Sequence, residues 1–189
     1  MSEDRGVLDL QVEPPALVVL DTSAIAVALL EDQPSHGEYS AFLLRAVERG
    51  TTLAYCELVD LELAQVCSKR ARAEHAGDRS RFVPEGRRLI AEVFGRWRSI
   101  LSQTQSVRMP LGLSDDPRVL GSPVRDAAFG LIERCGLDSY DATHAATAII
   151  LGAPLVCADR GFAHAPAELL TIITDSAGAD ECRRLRARS

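Results

Sequence analysis

The chain contains no apolar run near the roughly 20 residues that cross a bilayer, and its acidic opening, residues 1–12, lacks the basic-then-apolar layout of a signal peptide. A cytoplasmic location away from any membrane is the expectation. No Cys-x-x-Cys pair occurs. The five cysteines, Cys56, Cys67, Cys135, Cys157 and Cys182, are odd in number, so reduced and mostly buried thiols are expected rather than disulfides or structural zinc. There is no Gly-rich phosphate loop and no obvious nucleophile. Lysine is nearly missing too: Lys69 is the only one, and every other cation is Arg. A formal net charge of −6 argues against a protein that coats nucleic acid electrostatically. Arginines crowd between Lys69 and Arg98 and again from Arg183 to Arg188. Arg suits bidentate phosphate contacts, so a local RNA groove stays open, but a solvated helix face is the preferred reading.

What is present fits one domain. At 189 residues and 47% hydrophobic content the chain can build a full core, with no internal repeat or low-complexity linker. Residues 1–15 end in Pro14-Pro15 and read as a flexible N-terminal arm; residues 176–189 read as a frayed tail; the globular domain is 16–175. An unbroken apolar run over 17–20 ends at Asp21, as expected of a strand buried on both faces. Four further strands are expected at 51–55, 107–111, 155–158 and 169–174. Between them lie helices at 24–30, after an apparent capping box at Ser35-His36-Gly37-Glu38, at 57–72, from Pro84 to about 101, from Pro123 to Gly136, and from Asp138 to Gly152. Alternating strands and helices imply an α/β fold, a parallel five-stranded sheet flanked by helices on both faces.

In such sheets the ligand crevice lies beyond the carboxyl ends of two strands at which the strand order reverses. If the strands at 17–20 and 155–158 are neighbours, Asp21 and Asp159 face that crevice. Asp141, in the first turn of the preceding helix, leans over the same edge, and the helix after the second strand adds an acid from its early turns. Two carboxylates about 4 Å apart repel by roughly 4 kcal/mol at an effective dielectric near 20. A hard divalent cation removes that conflict, and with no clustered His and Cys, Mg²⁺ or Mn²⁺ is expected rather than zinc.

Three segments carry a resemblance: Leu20-Asp21-Thr22-Ser23, then Asp138-Ser139-Tyr140-Asp141-Ala142-Thr143-His144-Ala145-Ala146, then Leu155-Val156-Cys157-Ala158-Asp159-Arg160-Gly161-Phe162. In this order and spacing the sequence resembles the PIN-domain ribonucleases, most closely their VapC-like toxin branch, over about residues 17–174. The resemblance implies that Asp21, Asp141 and Asp159 are metal-binding acids, with Ser23 supporting the first. It also implies a Glu on the helix after the second strand; Glu62 fits that spacing best and Glu57 is second choice. One departure is Cys157, where the family often has a Ser or Thr, which removes a hydrogen-bond donor near the metal. A second is the extra length between Cys67 and Ser106.

The activity implied is Mg²⁺- or Mn²⁺-dependent endoribonuclease hydrolysis leaving 5′-phosphate and 3′-hydroxyl ends. The implied setting is a type II toxin–antitoxin pair: an RNA substrate, a small antitoxin protein, and a homodimer whose interface is sought around residues 28–47 and 57–66. The alternatives are a catalytically weak or inactive PIN module serving as an RNA-processing adaptor, and a structure-specific DNA nuclease. Other notable residues receive structural readings: Asp138 as a helix cap, His144 as a core residue one turn beyond Asp141, Trp97 as packing, and Asp115 and Asp116 as turn formers.

Overall fold

The computed structural model describes residues 6–110 and 121–188. Asp115 and Asp116 lie outside the described residues. The apolar run after Pro14-Pro15 becomes the second strand, and the elements follow as β1 (Val7–Asp9), β2 (Leu17–Leu20), α1 (Thr22–Leu29), α2 (His36–Glu48), β3 (Thr52–Cys56), α3 (Leu58–Glu74), α4 (Arg79–Ser102), β4 (Ser106–Met109), α5 (Gly121–Cys135), α6 (Ser139–Leu151), β5 (Leu155–Val156), β6 (Ile172–Thr174) and α7 (Ser176–Arg186). A 3-10 turn, Gly161–His164, lies between β5 and β6. The strands form one sheet in the order β1-β6-β5-β2-β3-β4, and every pairing is parallel.

The sheet thus has six strands, not the expected five. The additional strand, β1, falls within the stretch read as a flexible arm and pairs with β6, Val7 opposite Ile172. Three residues are too few to show a strand pattern, and the partner lies at the other end of the chain. What holds β1 is α7, in the stretch read as a frayed tail. Arg186 donates to Gly6 O at 3.1 Å and Leu170 O at 2.9 Å, and Val7, Ala163, Ala179 and Cys182 form a small buried cluster. Asp175 caps α7 by accepting the Gly178 N–H at 2.7 Å, a contact of a kind worth about 1 kcal/mol over Ala.

Alternation along the central strands divides the core. Val18, Leu20, Leu53 and Tyr55 point to the side covered by α1 to α4; Leu17, Val19 and Ala54 point to the side covered by α5 and α6. With both faces covered, β2 can be apolar throughout, and Val18, Val19 and Leu20 are fully buried. Trp97 packs edge-on against Tyr55 with ring centroids 5.5 Å apart, so it belongs to the core.

Two expected helix starts differ. Helix α4 begins at Arg79, capped by Asp78, which accepts from Ser80 N at 3.0 Å; Pro84 lies inside the helix rather than opening it. Ser35 adopts a left-handed backbone and makes no side-chain cap bond, so no capping box forms there. The Arg-rich middle of the chain is laced with acids: Arg70 bonds Asp32 and Glu74, Arg88 bonds Glu85 and Glu92, and Arg96 bonds Glu31 and Glu92. All five cysteines are free; four are buried and Cys135 is half-buried.

Candidate active site

The sheet order reverses between β2 and β5: from β2 the chain proceeds outward through β3 to β4, while β5 leads to β6 and β1 on the other side. These two strands are adjacent in the sheet, with Leu20 opposite Val156, and the Asp21 N–H continues the ladder to Val156 O at 3.0 Å. Asp21 and Asp159 therefore leave neighbouring strand ends, as the crevice argument required.

Asp21 both caps α1 and faces the crevice. Its Oδ2 accepts from Ser23 N at 2.9 Å and from the Ser23 hydroxyl. The same hydroxyl oxygen accepts from Ala158 N at 2.9 Å and Asp159 N at 3.2 Å. Ser23 thereby uses its one donor and both lone pairs to tie the turn after β2 to the turn after β5. Cys157 was expected to leave the site short of a donor; its side chain is fully buried, and Ser23 holds the neighbouring backbone instead.

Glu62, in the second turn of α3, accepts the Thr22 hydroxyl at Oε2 and has His144 Nε2 2.9 Å from the same oxygen. Glu57, the second choice, precedes α3 and lines an apolar groove of about 620 Å³ with Leu58, Leu61, Ala128, Phe129 and Ile132. The geometry favours Glu62. Asp141 sits in the first turn of α6, which Asp138 caps by accepting from Tyr140 N and Asp141 N, both at 2.9 Å. Asp159 is exposed at the rim, its Oδ1 accepting Gly161 N at 2.7 Å. Gly161 matters here: a Cβ at this position would lie 3.1 Å from Asp141 Oδ2 and 3.2 Å from Asp159 Oδ1. The bare backbone lets these two carboxylates approach one another.

His144 is the residue that the sequence reading undervalued. It is 1% exposed, and its Nε2 lies between Glu62 Oε2 and Asp21 Oδ1, the latter at 3.5 Å. Its spacing, three residues after Asp141 on one helix face, was the available signal, hidden among alanines that read as core. The acids thus meet in two pairs, Asp21 with Glu62 around His144, and Asp141 with Asp159 around Gly161.

The electrostatics follow from that crowding. Burial raises the Asp21 pKa despite the opposing pull of His144 and the Ser23 hydrogen bonds. Asp141 is pushed up to about 7, first by burial and then by the charges of Asp138, Asp159 and Asp21. For His144, burial disfavours the charged ring, but the Glu62 hydrogen bond and the Asp21, Glu62 and Asp141 charges together outweigh it and raise the pKa. Among the described residues, no three His, Cys, Asp or Glu side chains already close on one point as a metal cage would. The donor set nevertheless fits a hard divalent cation: the four acids offer carboxylate oxygens, and a cation would offset the burial that, as the first cause of the raised Asp21 and Asp141 pKa values, disfavours their charged forms.

The PIN domain family model matches residues 18–168. No curated protein sequence matches the chain. Among solved structures, the fold is similar to VapBC2 from Rickettsia felis, crystallised with a DNA fragment from their promoter, at a TM-score of 0.53 and 18% identity over 84% of this chain and 98% of that one. It is also similar to PAE2754 from Pyrobaculum aerophilum, at a TM-score of 0.50 and 21% identity over 91% of this chain and 90% of that one. At these identities the likeness is one of fold. Among the described residues no helix is long and apolar enough to cross a membrane. The family match runs from β2 to just before β6 and takes in Asp21, Glu62, Asp141 and Asp159, so the chain belongs to the PIN domain family, whose domains are typically nucleases that use divalent metal ions.

Proposed function

We propose that this chain is a Mg²⁺- or Mn²⁺-dependent endoribonuclease acting in the cytoplasm as the toxin of a type II toxin–antitoxin pair. The observation that carries the nuclease reading is the gathering of four acids from four elements, as two pairs, beyond the adjacent ends of β2 and β5. Asp21, Glu62, Asp141 and Asp159 would hold the cation. When bound, it supplies a polarised scissile phosphate and a water of lowered pKa.

The chain's own residues do the positioning. Ser23 fixes Asp21 by Oδ2, and the Gly161 N–H fixes Asp159 by Oδ1. Thr22 fixes Glu62 by Oε2. Each of these acids is thus anchored through one oxygen; Glu62 and Asp159 keep the second for the cation, and the second of Asp21, Oδ1, also lies 3.5 Å from His144 Nε2. Asp141, with its pKa near 7, must lose a proton before it can contribute a full charge.

The toxin reading is supported by the fold likeness to VapBC2 and implies an antitoxin partner. A homodimer fits the exposed apolar side chains of Leu61 and Phe129 that line the groove. Of the two stretches expected at the interface, 28–47 offers Leu44 as an exposed apolar side chain, while Ala28, Tyr39, Phe42, Leu43 and Ala46 are buried in the core. The reading is tested by incubating purified protein with cellular RNA and mapping fragment ends: 5′-phosphates and 3′-hydroxyls are expected. Persistent absence of cleavage together with no metal-induced stabilisation would favour the adaptor reading.

A further inference from the structure

We propose that His144 is a positioning residue of the metal centre, holding Glu62 by one carboxylate oxygen so that the other is left for the cation. This inference rests on the metal-dependent reading above. His144 lies on α6 and Glu62 on α3, two helices on opposite faces of the sheet that meet over the ends of β2 and β5. The His144 ring is buried, and Nε2 approaches Glu62 Oε2 at 2.9 Å with Asp21 Oδ1 at 3.5 Å. Both hydrogen bonds to Glu62, from His144 and from Thr22, end on Oε2. Among the described residues none ends on Oε1. The imidazole also stands between Glu62 and Asp21 and keeps their spacing.

The same spacings would suit a different role, with Nε2 itself a metal ligand beside the two carboxylates. The other ring nitrogen decides against it. A ligating histidine nearly always donates its second N–H to a carboxylate, a carbonyl or water. His144 Nδ1 is buried and has no hydrogen-bond partner among the described residues. A ligating Nε2 would also have to be bare, whereas the carboxylate oxygens of Glu62 at 2.9 Å and Asp21 at 3.5 Å favour a proton on it. With a proton on Nε2 the ring donates to Glu62, whether or not Nδ1 is protonated as well. The imidazole thus acts through Glu62.

The test is Mn²⁺ titration calorimetry on the full chain, comparing wild type with His144→Leu and His144→Gln, alongside melting of each in the absence of metal. Glutamine places an N–H donor near the Nε2 position; leucine fills the volume without one. His144→Leu is expected to weaken Mn²⁺ binding about 10- to 100-fold, the range typical when a partner of a metal ligand is lost. His144→Gln is expected to recover most of that loss. Unchanged binding by His144→Leu would overturn the proposal. Equal weakening in both variants would also overturn it, pointing to direct ligation if metal-free melting is unchanged and to a packing role if both melt early. If wild type itself binds no Mn²⁺, the metal reading fails, and the proposal with it.

Discussion

The Asp159 N–H donates to the Ser23 hydroxyl oxygen at 3.2 Å, joining the turns that follow two adjacent strands whose residues are distant in sequence. Because the Ser23 hydroxyl also holds Asp21 and the Ala158 N–H, one side chain sets the distance between two of the proposed metal-binding acids. Ser23→Ala would leave the two amides and one carboxylate oxygen without that partner, a loss of about 1–3 kcal/mol for a poorly solvated group. The variant is expected to melt several degrees lower and to lose about 10-fold or more in metal affinity, as read by thermal melting and Mn²⁺ calorimetry. Wild-type values in both would remove Ser23 from the site.

The two candidate glutamates separate by measurement. Glu62→Gln removes a charge next to Asp21 and His144, whereas Glu57→Gln alters the rim of the apolar groove. Mn²⁺ calorimetry is expected to show the larger loss for Glu62→Gln, by about 10-fold or more. The reverse order would transfer the second acid to Glu57.

Gly161 offers a test that leaves every acid in place. A methyl group there meets Asp141 Oδ2 at 3.1 Å and Asp159 Oδ1 at 3.2 Å, so these carboxylates must move by some tenths of an ångström. Asp159 is exposed and can yield, so the fold should survive. Gly161→Ala is expected to keep its melting temperature while RNA cleavage falls several-fold. Unchanged cleavage would mean that the Asp141–Asp159 approach is not used.

The raised pKa values give a pH signature. Asp141 is moved from 3.8 to about 7, and Asp21 and His144 are also raised. A raised folded-state pKa means that the native protein binds more protons than the unfolded chain. The resulting stabilisation is fully present below the unfolded pKa and is lost as pH rises through the folded one. For Asp141 that window runs from about 3.8 to about 7. Without metal, stability should therefore decline as pH rises from about 5 to about 8, as followed by melting. Added Mn²⁺ should raise the melting temperature more at the upper end of that window, because binding there need not displace the Asp141 proton. A metal-induced shift that is larger at pH 5 would contradict the cluster's role.

Much of this architecture was legible because the signals were local. The apolar run of β2 ends at Asp21, Gly152 closes α6 in a left-handed conformation, and Asp138 caps the same helix through two amides. Each is a short-range consequence of residue type. By contrast, β1 exists because Arg186, at the far end of the chain, donates to Gly6 O and Leu170 O, a pairing that no local pattern announces. Pro84 misled because proline favours a helix's first turn, while Asp78 is the stronger start signal a few residues earlier. Within the site, Asp21 and Asp159 stood out as charges after strands, and Asp141 and Glu62 as acids in the early turns of helices. His144 did not, because in an alanine-rich helix a buried ring reads as core until Glu62 of α3 is seen against it.

These acids are proposed to hold a metal that cleaves RNA. The most direct measurement is cleavage of total cellular RNA by wild type and Asp21→Asn, with Mg²⁺, with Mn²⁺ and with EDTA. Asparagine keeps the cap on α1 and nearly the same volume, so the variant should fold. Discrete fragments that require metal and vanish with Asp21→Asn are the predicted result. Cleavage that persists in EDTA, or full activity in Asp21→Asn, would contradict it.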